Sequence, residues 1–487
     1  MKHSLKLTAL SITVSLGTAG TSSAQQPPDV VQSDANGNTA MGGYALENTH
    51  EGQNASNLNT AAGASSLFSN TLGSENSAFG YGAMYYNTIG NFNSAVGDAA
   101  LEANTTAWNG TAMGAEALTQ NTTADNNTAI GAWVLVGNIT GGSNTATGAF
   151  ASTCNVSGSN NTAVGAYSLS GAVVPVPHGF SPACASINAT ATGSGNTASG
   201  YAALNANTTG DGNTASGAQA LTNNTAGNKN TASGYLALTS NISGSYNTAT
   251  GNEALYSNRD GIRNTASGDW GLFSNTHGND NTADGHDALH SNTVGSNNIG
   301  LGANSGYNVT SGSNNIEIGN EGMSSDGGTI RIGTSGSQTA TYIAGIENAQ
   351  VTGAAVFVTS SGQLGVLASS ERYKTAIVPM SVDTEKLQEL RPVSFHLKTD
   401  PKGALQYGLI AEEVAKVYPE LVIRDKAGRI QGVRYDELAP MLLNEIQQQQ
   451  AQLQDMKQQL AQLKQINESM QAAILKLQDK DQRIAMR

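Results

Sequence analysis

Residues 213–229 read NTASGAQALTNNTAGNK, and residues 230–246 repeat the phrase as NTASGYLALTSNISGSY. Asn-Thr-Ala or a close variant opens a unit at 59, 76, 93, 110 (as Gly-Thr-Ala), 127, 144 and 161. The series resumes at 196, 213, 230, 247, 264 and 281, then decays to Asn-Ile-Gly at 298 and Asn-Ile-Glu at 315. Within each run the step is 17, and the consensus is NTAxGxxALxxNTxGxx. Its fifth position is Gly in every copy from Gly63 to Gly319, and its ninth is usually Leu, as in Leu101, Leu204, Leu255 and Leu289.

A fixed period of this length is the mark of stacked coils. Two short extended stretches per coil, parted by Gly and Asn that tolerate positive φ, would let the chain turn sharply twice per repeat. Each coil then satisfies its neighbours' backbone hydrogen bonds, with Ala and Leu pointing into a narrow core and Asn side chains forming ladders. One coil cannot bury its apolar face alone, so the array stands as a stack. The predicted fold is mainly β: a β-roll or β-solenoid over residues 38–320. About 15 coils at ~4.8 Å give a rod of roughly 70 Å.

The composition agrees. With 57 Gly, 12% charged and 5% aromatic residues, the chain has too few large apolar groups for a wide globular core. Low hydrophobicity also suits disorder, but strict register, the constant Gly and the recurrent Leu speak against it. The GGxGxD nonapeptides of calcium-binding rolls are absent. One regular Thr per coil is fewer than an ice-binding face needs. The net charge of −13 excludes a nucleic-acid partner and predicts a soluble, self-repelling surface. No cofactor is expected.

From Asn161 to Asn196 the step is 35, so 18 extra residues lie near SGAVVPVPHGFSPACASINA. This insertion, near 170–190, carries Cys184, and Cys154 lies one coil earlier. In an exported chain two cysteines and no others are expected to form one disulfide, with two free thiols as the alternative. His178 is the one nearby imidazole, too little for a metal site. Solenoid insertions gather on one face, so this loop is the natural place for an extracellular ligand or surface receptor, though nothing in it names one.

Residues 1–24 have a secretory signal's form: Lys2, His3 and Lys6, an apolar run from Leu7 to Leu16, then Ser22-Ser23-Ala24. The run is too short to span a bilayer, and no other transmembrane candidate follows. The expected destination is outside the cell or at its surface. Residues 25–37 read as a linker, and 321–368 (TIRIGT, ATYIAGI, AAVFVTSSGQLGVL) as a β-rich neck. Beyond Ser369 the composition turns ordinary. KLQEL predicts a short helix, PVSFHLK a strand, and YGLIAEEVAKVYPEL a strand entering a helix that stops at Pro419. LVIRDKAGRIQGV predicts a hairpin around Lys426-Ala427-Gly428, and Tyr435 opens a long helix. Its apolar residues Leu442, Ile446, Leu453, Met456, Leu460, Leu463, Met470, Ile474 and Leu477 recur in steps of three and four, with Gln449 and Asn467 as polar members. That is a heptad seam, predicting a coiled coil over 447–487; the heptads alone do not separate two strands from three.

The boundary stretch SSERYK, residues 369–374, puts a hydroxyl and an amine five residues apart. Ser-x-x-x-x-Lys alone carries little information. The blocks SSERYKTAIVPM, LQELRPVSFHLK, YGLIAEEVAKVYPELV and GVRYDELAPMLLNEIQQQQ, in this order, resemble the intramolecular chaperone auto-processing domain. That family of self-cleaving serine–lysine peptidases ends endosialidase-type phage tailspikes, other tail fibres and some membrane-bound transcription factors. The resemblance covers about a quarter of the chain and assigns a small α+β domain to 369–446. It implies Ser369 as nucleophile, Lys374 as base, and a cut between Ala368 and Ser369. Where the family usually has Asp after the nucleophile, this chain has Ser370, which leaves Ser370 as a second candidate nucleophile. Glu412 and Glu413, in the block GLIAEEV, read as structural or as supports behind the reacting pair. The repeat more loosely resembles the β-roll head of trimeric autotransporter adhesins, and both resemblances imply a homotrimer. The implied function is an exported fibre matured by one self-cleavage; the alternative is a surface filament whose C-terminal part trimerises without chemistry.

Overall fold

The computed structural model describes residues 32–49, 56–171, 191–344, 355–359, 361–380, 382–425 and 427–486. The expected signal segment 1–24 lies outside the described residues. The chain divides into two units, residues 1–341 and 342–487.

The first unit is the stacked array. Each coil gives one three-residue strand at positions two to four of the repeat. These join an 18-stranded sheet in which like residues pair in parallel register, as Thr214, Ala215 and Ser216 do with Thr231, Ala232 and Ser233. The ladder reaches past the counted copies. Thr39–Met41 pairs with Thr60–Ala62, and Ile330–Ile332, in the stretch expected to be neck, pairs with Ile316–Ile318. Gln32–Ser33 lies antiparallel on Thr39–Met41 and covers the first edge, where unpaired backbone groups would otherwise invite another strand.

Only one of the two expected extended stretches is a strand. The other half of the coil is a run of turns, yet it still bonds coil to coil: Leu221 N–H donates to Ala237 O at 3.0 Å and Gln219 N–H to Tyr201 O at 2.8 Å. The turns use positive φ at residues that do not favour it. Leu101, Leu204 and Leu221 all sit at φ 52. The left-handed conformation costs about 1–2 kcal/mol per residue, whereas full burial of a Leu contributes about 1.5–3 kcal/mol. These leucines are completely buried, so burial wins.

Around each Leu the core is filled by Ala at positions three and eight and by two asparagine ladders. In the first, Asn230 Nδ2 donates to Asn213 Oδ1 at 3.1 Å and to Gly244 O at 2.8 Å. In the second, Asn241 Nδ2 donates to Asn224 Oδ1 at 2.7 Å and to the same Gly244 carbonyl at 2.9 Å. Both amides thus clamp one carbonyl per coil, which satisfies polar groups that would otherwise be costly to bury. Where the sequence departs, the ladder loosens. Ala107 replaces the usual Gly, the bond from Asn104 Nδ2 to its carbonyl stretches to 3.4 Å, and Asn104 Oδ1 is left without a partner.

The stack continues across the insertion. Thr162 pairs with Thr197, and Val156 N–H donates to Ala191 O at 2.9 Å. Cys154 is buried and disulfide-bonded. Cys184, His178 and the insertion itself lie outside the described residues.

At the last full coil the core changes chemistry. Gly306 stands at the ninth position, and Glu317 replaces the buried Ala of the strand. A Cβ on Gly306 would lie 2.6 Å from Leu289 Cδ2 and 3.5 Å from Glu317 Cγ, so both side chains use the room that a Leu there would take. Neither carboxyl oxygen of Glu317 receives a hydrogen bond from a fixed donor. Burial, then the neighbouring Asp326, push its carboxyl up to about 7, with Arg331 opposing. Arg331 instead grips Asp326 bidentately at 2.6 and 2.7 Å and holds that carboxyl below the usual range. Glu317 therefore keeps a proton that the unfolded chain has already lost, and stability falls as pH rises from about 4.5 to about 7. Glu317→Gln is expected to flatten that slope and raise stability at pH 8 by about 2–3 kcal/mol. Thermal melts of both chains from pH 5 to 8 check it; parallel curves would refute it.

The second unit is mixed. A hairpin pairs Phe357–Val358 with Leu364–Gly365. A 3-10 helix follows at Val382–Glu389, then paired strands Val393–Phe395 and Gln406–Gly408. Helix α1 (Ala411–Val417) stops before Pro419, the hairpin Val422–Arg424 with Ile430–Val433 follows, and helix α2 spans Tyr435–Ala485. Val414, Tyr418, Leu421, Val422, Val433 and Met441 form its small core. Among the described residues no helix is long and apolar enough to cross a membrane.

Candidate functional site

The site begins where the 357–365 hairpin ends. Residues 366–369 carry no regular element, and Glu371–Tyr373 make one 3-10 turn. Ser370 is its N-cap at φ −65 and ψ 140, and Lys374 N–H closes the turn on Glu371 O at 2.9 Å. This single turn folds position 374 back over position 369. Lys374 Nζ stands 3.5 Å from Ser369 Oγ, a contact longer than the ~2.6–3.2 Å at which a proton passes. The family resemblance implies the pair; the turn supplies its geometry. Ser370 lies in the turn beside it.

The pair is exposed in the single chain, and so are apolar residues that flank it in the sequence. Leu364, Val366, Leu367, Ile377 and Val378 are each more than 60% exposed. Arg372 lies 4.7 Å over the Tyr373 ring.

The rest of the unit braces this segment's continuation. Arg391 forks onto Glu413 at 2.6 and 3.2 Å, which holds that carboxyl below its ordinary range. Leu409 N–H donates to Tyr435 Oη at 2.8 Å. A Cβ on Gly408 would come within 2.6 Å of that oxygen, so only Gly lets Tyr435 approach. Thr384 joins α2 through Asn444 Nδ2 at 2.8 Å. Arg391, Tyr435 and Thr384 were not singled out from the sequence, and their partners are too far along the chain for any local pattern to show them.

A family comparison matches residues 369–423 to the chaperone of endosialidase, a peptidase family, so that the match opens on Ser369. Residues 369–423 thus carry a chaperone-of-endosialidase domain. No curated protein matches the chain. The matched residues cover the first three ordered blocks after Ser369, with GVRYDELAPMLLNEIQQQQ beyond them, and follow in the chain a β-solenoid of fibre-like form.

Proposed function

We propose that this is an exported fibre protein whose chaperone domain assembles three copies and then frees itself by one cut between Ala368 and Ser369. The observation that carries the reading is the Ser369–Lys374 pair, 3.5 Å apart at the first residue of the chaperone domain. An amine in water keeps its proton at neutral pH and is no base. Covering the pair and the exposed apolar residues that flank it in the sequence with neighbouring copies would dry the site and favour the neutral amine.

Lys374 would then take the proton of Ser369 Oγ as that oxygen attacks the Ala368 carbonyl carbon. The adduct collapses with loss of the C–N bond. The Ser369 nitrogen takes the proton back, leaving an ester between Ala368 and Ser369 Oγ. Water opens the ester, giving Ala368 a carboxylate and restoring the Ser369 hydroxyl. Tethering supplies the effective concentration, so no substrate pocket is needed. The released chaperone no longer templates the fibre, which is left kinetically trapped. The charged start and short apolar run of residues 1–24 support export.

Mass spectrometry of the expressed chain tests the cut. Wild type should yield a C-terminal fragment beginning at Ser369, and Ser369→Ala should stay whole. If Ser369→Ala gives the same fragments as wild type, or wild type is never split, the reading fails. Loss of the cut in Ser370→Ala alone would move the nucleophile by one residue.

A further inference from the structure

Every strand of the solenoid turns its central residue inward and its first and third outward, so two outward ranks run the length of the sheet. In the parallel strands from Thr39–Met41 to Ile330–Ile332, Asp284 is the one ionisable side chain on these ranks. Charges elsewhere on the coils are frequent, as at Glu116, Lys229, Glu253, Asp260 and Arg263. Part of the third-position rank is apolar: Phe79, Val96, Met113, Ile130 and Val164 are 40–47% exposed. Over the last three strands both ranks are apolar: Ile299 and Leu301, Ile316 and Ile318, Ile330 and Ile332. From Thr197–Ser199 to Thr265–Ser267 they carry only hydroxyls, and these make no hydrogen bond among the described residues. By contrast, the Thr hydroxyls of the turn half donate to the next coil, as Thr208 Oγ1 does to Thr225 O at 2.9 Å.

We infer that copies of this chain pack this strand face toward a common axis, with like ranks meeting like. The inference rests on the self-association proposed above and names the surface that carries it. Its occupant is a second copy for three reasons. A chain of net charge −13 repels itself least on a face that carries a single carboxylate, Asp284. Coils of identical step keep two parallel rods in register along their whole length, so Ile meets Ile and hydroxyl meets hydroxyl. At ~4.8 Å per strand and roughly 10 Å of width, the face offers on the order of 800 Å² per copy, what a stable interface buries on each side. The unbonded hydroxyls then find partners across the axis, directly or through water.

Cysteine crosslinking of the full chain tests the face. Met113→Cys and Ile318→Cys should give mainly crosslinked pairs with a short bismaleimide. Leu72→Cys, exposed on the turn half, should give at least tenfold fewer. Ser233→Cys, a near-isosteric change on the same face, should follow the first two even if a larger replacement disturbs the stack. If light scattering shows an oligomer but the face cysteines crosslink no better than Leu72→Cys, the face assignment falls and self-association stands. If the chain is monomeric, self-association falls and takes the face with it.

Discussion

Gly217→Ala is expected to break the solenoid at one coil, costing about 3–5 kcal/mol. Gly217 sits at φ +139, and an added Cβ would stand 2.4 Å from the Gly234 carbonyl oxygen. That oxygen belongs to backbone, and Gly234 N–H is held on Ser216 O at 2.9 Å, so nothing nearby can swing aside. Relief requires the coils to part, which forfeits hydrogen bonds of the ladder on both sides. Because each coil touches only its neighbours, the damage should divide the array into two cooperative blocks. A melt would show two transitions, and limited proteolysis would nick near residues 217–234. The control is Gly82→Ala: φ there is +61, nothing lies within 4 Å of the new Cβ, and Ala202 already adopts φ 54 at the same coil position. That change should cost no more than about 1 kcal/mol. Equal melting temperatures for the two variants would refute the steric account.

The same coil shows what a reader of the sequence can and cannot see. The fifth-position Gly is legible because it never varies, and from Gly63 to Gly285 the reason is steric: an added Cβ would meet the next coil's backbone within 3.0 Å. Ala at the third position and Leu at the ninth are legible as core because they recur at fixed spacing. The sharp turns were assigned to Gly and Asn, yet many fall on the ninth-position Leu and on residues as varied as Glu116, Trp133 and Gln219 at the seventh. Local preference says nothing there, since burial and inter-coil bonds impose the conformation from outside. Glu317 in the core is invisible for the same reason, because its room is made by Gly306 eleven residues earlier. In the site, Ser369 and Lys374 were readable as a pair through the blocks around them. The one-turn helix that joins them follows from no periodic signal, being too short to have one.

Lys374→Arg should abolish the cut while leaving assembly intact. Arginine keeps the charge and nearly the reach of lysine, but its guanidinium holds its proton under all folding conditions and offers no acceptor. It can therefore sit beside Ser369 and cannot take its proton. Loss of a member of a nucleophile–base pair lowers rates by about three orders of magnitude or more. The uncut K374R chain should be seen by electrophoresis after wild type has fully split, at the oligomeric mass wild type shows. Scission at the wild-type rate would remove the amine from the mechanism. The complementary variant leaves both reacting groups alone. Leu460 and Leu463 are 55% and 63% exposed on the α2 seam, so Leu460→Asp with Leu463→Asp costs the single chain nothing in core packing. Placed in a coiled-coil seam, the two carboxylates would be buried without partners and oppose association. If dryness at Ser369 comes from neighbouring copies, this chain should remain monomeric and split at least tenfold more slowly than wild type. A monomer that splits at full speed would show that one chain excludes enough water by itself, and that the cut does not report assembly.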